Sequence, residues 1–294
     1  MAADSSGQLL LSIDGGQSWG LASVPAGSFA FTGVAKASTV AFLAADSGGA
    51  LLLSTNAGGS WSAVTPPASG AAFSFQAVAA ASATSFLAVD STRVFYSSTG
   101  GSSWTAVTPG GSPSGLLGAA IGIVGGSGFA VVAASSSFYW ASASSLGGSF
   151  NQISPAGGPY TFVDVAAASS TQLLLAQASS IVVVPFTGGG WGTPVLATLP
   201  AGPFTLEAIA CGSSSACVAA GGSSILYSTN GGTSWTAASL PGSGYSFTGL
   251  SASSAYNFLA VDSSGSILVS VNAGASWTAA SLPSGSFPLS AVAA

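Results

Sequence analysis

Large apolar residues alternate with small or polar ones in short runs along most of the chain, and clusters of Gly, Ser, Thr and Pro separate the runs. The stretch ending at Trp104 shows the unit. Phe73-Ser74-Phe75-Gln76-Ala77-Val78 alternates, Ser85-Phe86-Leu87-Ala88-Val89 is an apolar run, Arg93-Val94-Phe95-Tyr96 follows, and Trp104-Thr105-Ala106-Val107 comes last before Pro109-Gly110-Gly111. Alternation with period two over runs this short predicts strands, and the Pro-Gly cluster predicts the passage to the next unit. Four short strands in each unit are the content of a propeller blade.

Between the third and fourth predicted strands of a unit lies an eight-residue box. Its first, third, fifth and eighth residues are Ser12, Asp14, Gly16 and Trp19; then Ser54, Asn56, Gly58 and Trp61; Ser97, Thr99, Gly101 and Trp104; Ser228, Asn230, Gly232 and Trp235; and Ser270, Asn272, Gly274 and Trp277. Degraded copies stand at Gly147-Gly148-Ser149-Phe150 and Gly188-Gly189-Gly190-Trp191. The seven box aromatics fall at 19, 61, 104, 150, 191, 235 and 277, and a period in the forties marks blades or solenoid turns.

The chain ends predict a ring. Phe287 to Ala294 aligns with Phe29 to Lys36, and Met1-Ala2-Ala3-Asp4 aligns with Leu43-Ala44-Ala45-Asp46. The C-terminal segment thus supplies the first strand, from Phe287 to Val292, of a blade whose other three strands come from the N-terminus. Sharing a blade removes sheet edges, whereas an open solenoid would need capping repeats. The expectation is an all-β, closed seven-bladed propeller of four-stranded blades, one domain over residues 1–294.

Composition narrows the function. Charged residues are 3% of the chain, the bases are Lys36 and Arg93 alone, and there is no histidine. Nucleic-acid binding needs a basic stripe to neutralise phosphates, so that class is excluded. Disorder is excluded by a 48% hydrophobic content at a net charge of −5. The longest uncharged stretch, Gly115 to Ala134, is rich in glycine and in register with the first two strands of the other units. It therefore predicts a buried strand pair rather than a membrane span. Met1-Ala2-Ala3-Asp4 lacks the basic start and apolar run of a secretory signal, so a processed chain or a piece of a longer one is expected. A surface of Ala, Ser, Gly and Thr has little charge to keep molecules apart, which points to packing inside an assembly or to a sugar coat. No asparagine begins an Asn-x-Ser/Thr sequon, so any sugar would sit on Ser or Thr.

Ser-x-Asp-x-Gly-x-x-Trp is the signature carried by the five full boxes, and through it the chain resembles the Asp-box (BNR-repeat) propellers over nearly its whole length. The resemblance implies that each box is a structural hairpin. An Asp or Asn side chain can accept backbone N–H groups inside a tight turn, Gly permits positive φ, and Trp packs on the sheet. Asp14 is the one acid among the five third positions, which suits turn-making and not metal binding or acid catalysis. Sialidases of that family need an arginine cluster, and Arg93 stands alone. Leu52 to Trp61 looks most like the photosystem II assembly and stability factors. Those resemble this chain in blade number and lack catalytic residues, but hold a client with a basic patch that is absent here. What the resemblance implies is a binding platform.

Two acids break the repeat. Asp4, Asp46, Asp90 and Asp262 recur at the turn after a second strand, and Asp14 is in a box. Asp164 and Glu207 instead fall on the innermost strands of consecutive blades, one residue out of phase, which would send them to opposite faces. They are either solvated or pore-lining acids, or the carboxylate pair of a divergent glycoside hydrolase. Metal sites would need all-oxygen ligands or the two cysteines, with no ligand-like spacing for either, so no metal and no cofactor is expected. Cys211 and Cys217 align with Lys36 and Leu43 across the first hairpin of a blade; they form a disulfide or remain two buried thiols. A disulfide would imply an oxidising compartment, the cell exterior or an organelle lumen.

The leading functional expectation is a non-catalytic binding or scaffolding propeller with other protein subunits as partners. An apolar loop at Leu116 is expected to be exposed and available to them. A lectin-like module is the first alternative, with Tyr139, Trp140 or Tyr245 stacking on glycans, and the glycoside hydrolase is the second.

Overall fold

The computed structural model describes residues 1–65, 73–107, 109–110, 115–124, 127–142, 145–155, 158, 160–187 and 190–294, with the side chains of 121–128 outside the description. Gly111 of the linker and Gly188 and Gly189 of the degraded box at Trp191 lie outside the described residues. The fold is an all-β propeller of seven antiparallel blades, six with four strands and one with five.

Numbered from the first blade built of consecutive strands, blade 1 runs from Phe31 to Val64, blade 2 from Phe75 to Val107, blade 3 from Leu116 to Ile153, blade 4 from Phe162 to Leu196, blade 5 from Ala208 to Ala237 and blade 6 from Phe247 to Ala279, and blade 7 joins Leu289–Val292 to the strands between Ala2 and Leu21. Blade 1 shows the plan. Its strands Phe31–Lys36, Phe42–Asp46, Leu51–Ser54 and Ser62–Val64 pair in sequence order, the first lining the central channel and the fourth lying at the rim. A blade stacked between two others must bury both faces, and the second strand shows it. Leu43 and Ala45 pack toward blade 2 with Phe75 and Phe86, while Phe42 and Ala44 pack toward blade 7 with Ala3 and Leu9. Every residue of that strand, including Asp46, is buried. Continuous apolar runs on second strands are therefore the rule, for the reason that parallel sheets covered on both sides have them. Rim strands are short and exposed, such as Thr236–Ala237 and Thr278–Ala279, which leaves little edge for another chain to pair with.

The core is divided into seven clusters, one at each blade interface, and each cluster holds one of the seven box aromatics. Trp61 lies between blades 7 and 1, Trp104 between 1 and 2, Phe150 between 2 and 3, Trp191 between 3 and 4, Trp235 between 4 and 5, Trp277 between 5 and 6, and Trp19 between 6 and 7. Fully burying one large apolar side chain contributes about 1.5–3 kcal/mol, so each interface holds together on its own account.

Closure follows the expected alignment. Leu289–Val292 pairs with Ala2–Asp4, placing Ala2 opposite Val292 and Ala3 opposite Ala291. Met1 and Ala293 exchange two backbone hydrogen bonds of 2.8 Å each. The Gly115 to Ala134 stretch is indeed a strand pair, Leu116–Val124 with Ser127–Ala134, and no helix among the described residues is long and apolar enough to cross a membrane.

Two expectations need correction by one residue each. Leu116 is not an exposed loop residue: it opens the first strand of blade 3 and is 1% exposed, while its neighbour Leu117 faces out. Cys217 stands opposite Cys211 as Phe42 stands opposite Lys36, so it matches Phe42 and not Leu43.

Removing residues 286–294 should strip the first strand from blade 7 together with buried Phe287, Leu289 and Val292. The expected outcome is loss of the monomer to aggregates through the bared edge of Ala2–Asp4, read by size-exclusion chromatography with light scattering. A folded, monomeric deletion product would refute closure.

Candidate functional site

In each full box the chain turns from third to fourth strand through two residues of positive φ: Gly15 and Gly16, Ala57 and Gly58, Gly100 and Gly101, Gly231 and Gly232, Ala273 and Gly274. Around that turn one hydrogen-bond pattern repeats. The Ser12 hydroxyl accepts from Gly16 N–H at 2.8 Å and donates to Asp14 Oδ1, which in turn accepts from Ser18 N–H at 3.0 Å; Trp19 Nε1 donates to Gly16 O at 2.8 Å. Asn56, Asn230 and Asn272 use their carbonyl oxygen and Thr99 its hydroxyl for the same bond to the residue before the Trp. An acceptor oxygen is what the turn requires, and charge is incidental. Hydrogen bonds from the Ser18 hydroxyl first, then Ser18 N–H and the Ser12 hydroxyl, hold the Asp14 carboxyl well below the usual carboxylate range.

The boxes also join blades. Trp19 N–H donates to Ser281 O of blade 6, and Ser281 N–H returns to Gln17 O. Trp235 with Thr198, and Trp277 with Ser239, repeat the exchange, and a parallel bridge of Ser23 with Ser60 marks the same place between blades 7 and 1. Each such box therefore clips onto the rim of the preceding blade.

The four repeat acids are buried and bonded to backbone. Asp4 Oδ1 accepts from Ser6 and Gln8 N–H, Asp46 Oδ1 from Ala50, Asp90 Oδ1 from Thr92 and Arg93, and Asp262 Oδ1 from Ser266. Asp90 also binds the Arg93 guanidinium at 2.6 Å. These carboxylates close the turn between second and third strands.

Asp164 and Glu207 behave differently. The inner strands enclose a channel cavity of about 240 Å³, and both acids line it together with Gln76, Thr248 and Ser290. The expected separation onto opposite faces does not occur, because the inner strands carry a bulge. In blade 4, Phe162 pairs with Gln177 and Asp164 with the adjacent Ala176, leaving Val163 as the extra residue. In blade 5, Glu207 N–H bonds Ala220 O while Ala208 is the partner of Ala220. A bulge sets two residues against one and re-aims side chains. Glu207 is exposed, and Asp164 is half-buried with Val165 and Ile209 N–H donating to it at 2.8 and 2.9 Å.

Of the aromatics proposed for sugar stacking, one is buried and two are partly covered. Tyr139 is buried, Trp140 packs edge-on against Phe186 and Trp191, and Tyr245 stacks on Phe247. Sequence reasoning missed Tyr256, which is 67% exposed on the first hairpin of blade 6. Cys211 and Cys217 form a disulfide with Cα atoms 4.0 Å apart. Among the described residues, no three His, Cys, Asp or Glu side chains gather as metal ligands would.

No family model matches this chain, and no curated protein does. Solved structures do. The chain is similar to YCF48 bound to a D1 peptide, at 15% identity and a TM-score of 0.68 over 92% of this chain and 86% of that one. It is similar to YCF48 from Cyanidioschyzon merolae, at 16% and 0.66 over 90% and 88%. A streptogramin B lyase matches at 13% and 0.70 over 97% and 90%. These likenesses show a shared propeller fold.

Ala57 and Ala273 hold φ near +60°, where a Cβ costs about 1–2 kcal/mol. Ala57→Gly and Ala273→Gly should each raise stability by about 0.5 kcal/mol after the added unfolded-chain entropy is offset, measured by urea melts. Replacing both cysteines with serine should lower stability by about 2 kcal/mol, the loop-closure value for so short a loop. Free-thiol titration of the unreduced, denatured protein should find none.

Proposed function

We propose that this chain is a non-catalytic binding or scaffolding propeller of the Asp-box (BNR-repeat) type, one domain over residues 1–294, working within a larger protein assembly at the cell exterior or in an organelle lumen. The observation that carries this reading is where the nine charged side chains sit. Asp4, Asp46, Asp90 and Asp262 are buried, Arg93 is bound to Asp90, and Asp164 and Glu207 face the channel. Asp14 and Lys36 are left as the exposed charged side chains outside that channel. Such a surface resists association weakly.

Large apolar side chains are exposed on the same uncharged exterior. Ile13 and Val271 occupy the second box position of blades 7 and 6, and Tyr256 and Val40 lie on hairpins whose carbonyls accept from the box residues Ala273 and Ala57. Similarity to a propeller solved with a bound peptide supports a protein partner, and the disulfide supports an oxidising compartment. A second reading keeps one observation in its favour: Asp164 and Glu207 line one cavity, and a lyase shares the fold.

Tyr256→Lys and Val271→Lys should leave the melting temperature unchanged and reduce recovery of native partners by about tenfold or more, because an uncompensated charge at an apolar interface is costly to desolvate. Recovery is measured by quantitative cross-linking in extracts of the native source. Asp164→Asn with Glu207→Gln should change it little. Loss of a glycosidase or lyase activity in that double variant, with partner recovery intact in the lysine variants, would transfer the assignment to the enzyme reading.

A further inference from the structure

Register places one residue of each inner strand, just past its bulge, on the channel wall: Gly33, Ala77, Gly118, Asp164, Ala208, Gly249 and Ala291. All seven line the cavity. Six of them carry nothing beyond a Cβ, and Asp164 is the exception.

At three other interfaces neighbouring inner strands are tied at this level by uncharged groups. Thr32 donates to Phe75 O, Thr248 to Leu289 O, and Ser290 to Phe31 O. Between blades 4 and 5 the polarity is reversed: a carboxylate oxygen of Asp164 accepts from Ile209 N–H at 2.9 Å, and its other oxygen accepts from Val165 N–H. Blade 3 presents Gly118 to this group, where an added Cβ would come within 3.0 Å of Asp164 Oδ1. Blade 5 presents Glu207, the other titratable residue among those lining the cavity. Arg93 is held by Asp90, and Lys36 lines a different cavity. The channel is narrow and sheet-walled, and its lining residues include no base that would hold Asp164 in its ionised form.

We propose that Asp164 is a proton-operated tie between blades 4 and 5. Ionised, it accepts both backbone N–H groups. One proton taken from solvent converts an acceptor oxygen into an O–H donor, so one of the two N–H bonds is weakened and Asp164 loses its negative charge. Desolvation pushes the Asp164 carboxyl up to about 6, against the opposing pull of the bonds from Ile209 and Val165. The native value therefore lies above the ordinary Asp value of about 3.9, and the native state binds this proton more tightly than the unfolded chain does. On this group's account stability is lowest above pH 6 and rises as pH falls through 6 toward 4. An ion-paired carboxylate has the opposite slope.

The test is an NMR titration of the full chain from pH 3.5 to 8. The Asp164 carboxyl carbon and the amides of Val165 and Ile209 should shift together with a midpoint near pH 6. Asp164→Asn should abolish the Ile209 transition. The melting temperature of Asp164→Asn should exceed that of the parent most at pH 7, with the gap narrowing toward pH 4. Should the Asn variant fold poorly, Asp164→Ala places at this position the residue that blades 2, 5 and 7 already carry there. A carboxyl midpoint at or below about pH 4, the unperturbed range, or an Ile209 transition that survives removal of the carboxylate, would overturn the proposal.

Discussion

The constraint on which the ring depends is that every blade has two apolar faces and no helix to cover either. Each face must be buried against the next blade, and the last blade must meet the first. Alternation along the second strands sends Leu43 and Ala45 one way and Phe42 and Ala44 the other, so no strand is expendable and no interface can be left wet. The box turn makes this stacking specific. Its Trp fills the interface with the preceding blade, and its backbone exchanges hydrogen bonds with that blade's rim. The same residues that reverse the chain therefore set the spacing between sheets.

This dual role explains why the third box position tolerates Asp, Asn and Thr alike. The turn needs one acceptor oxygen toward the N–H of the seventh residue and one partner for the hydroxyl of the first, and all three side chains provide them. The aromatic is less replaceable. Where the box has decayed, at Phe150 and Trp191, the ring still occupies the blade interface. Trp191 does so without the indole bond that the five full boxes make, its Nε1 having no partner, and it is surrounded instead by Phe129, Phe138 and Phe186. Packing outlasts the turn chemistry.

Blade number, strand order and closure were legible because they depend on periodicity, which survives the loss of individual box residues. Side-chain direction was legible only where alternation is unbroken. Leu116 was placed outside and Leu117 is the exposed one; Tyr139 was offered as a surface aromatic and is buried, with Trp140 partly covered. At Leu116 the error is a slip of one position, and with a period of two one position reverses the face. The bulges explain the channel acids in the same terms. A uniform strand would have separated Asp164 from Glu207, but an extra residue in the first strand turns both toward the axis. Alternation alone does not reveal a bulge, since the inserted residues, Val163 and Glu207 here, share no side-chain type.

Scarcity of charge links the fold to its surroundings. A protein that buries four carboxylates in turns and keeps two more in its channel has withdrawn most of its charge from the exterior. Turn acids are cheap to bury because two or more donors meet them, as Ser6 and Gln8 meet Asp4, and backbone donors to a carboxylate replace the water it loses. Asp164 has two backbone donors as well, but desolvation between the sheet walls opposes them and pushes its carboxyl up. The same kind of bond thus closes a turn at Asp4 and links two blades at Asp164, and the difference lies in the surroundings.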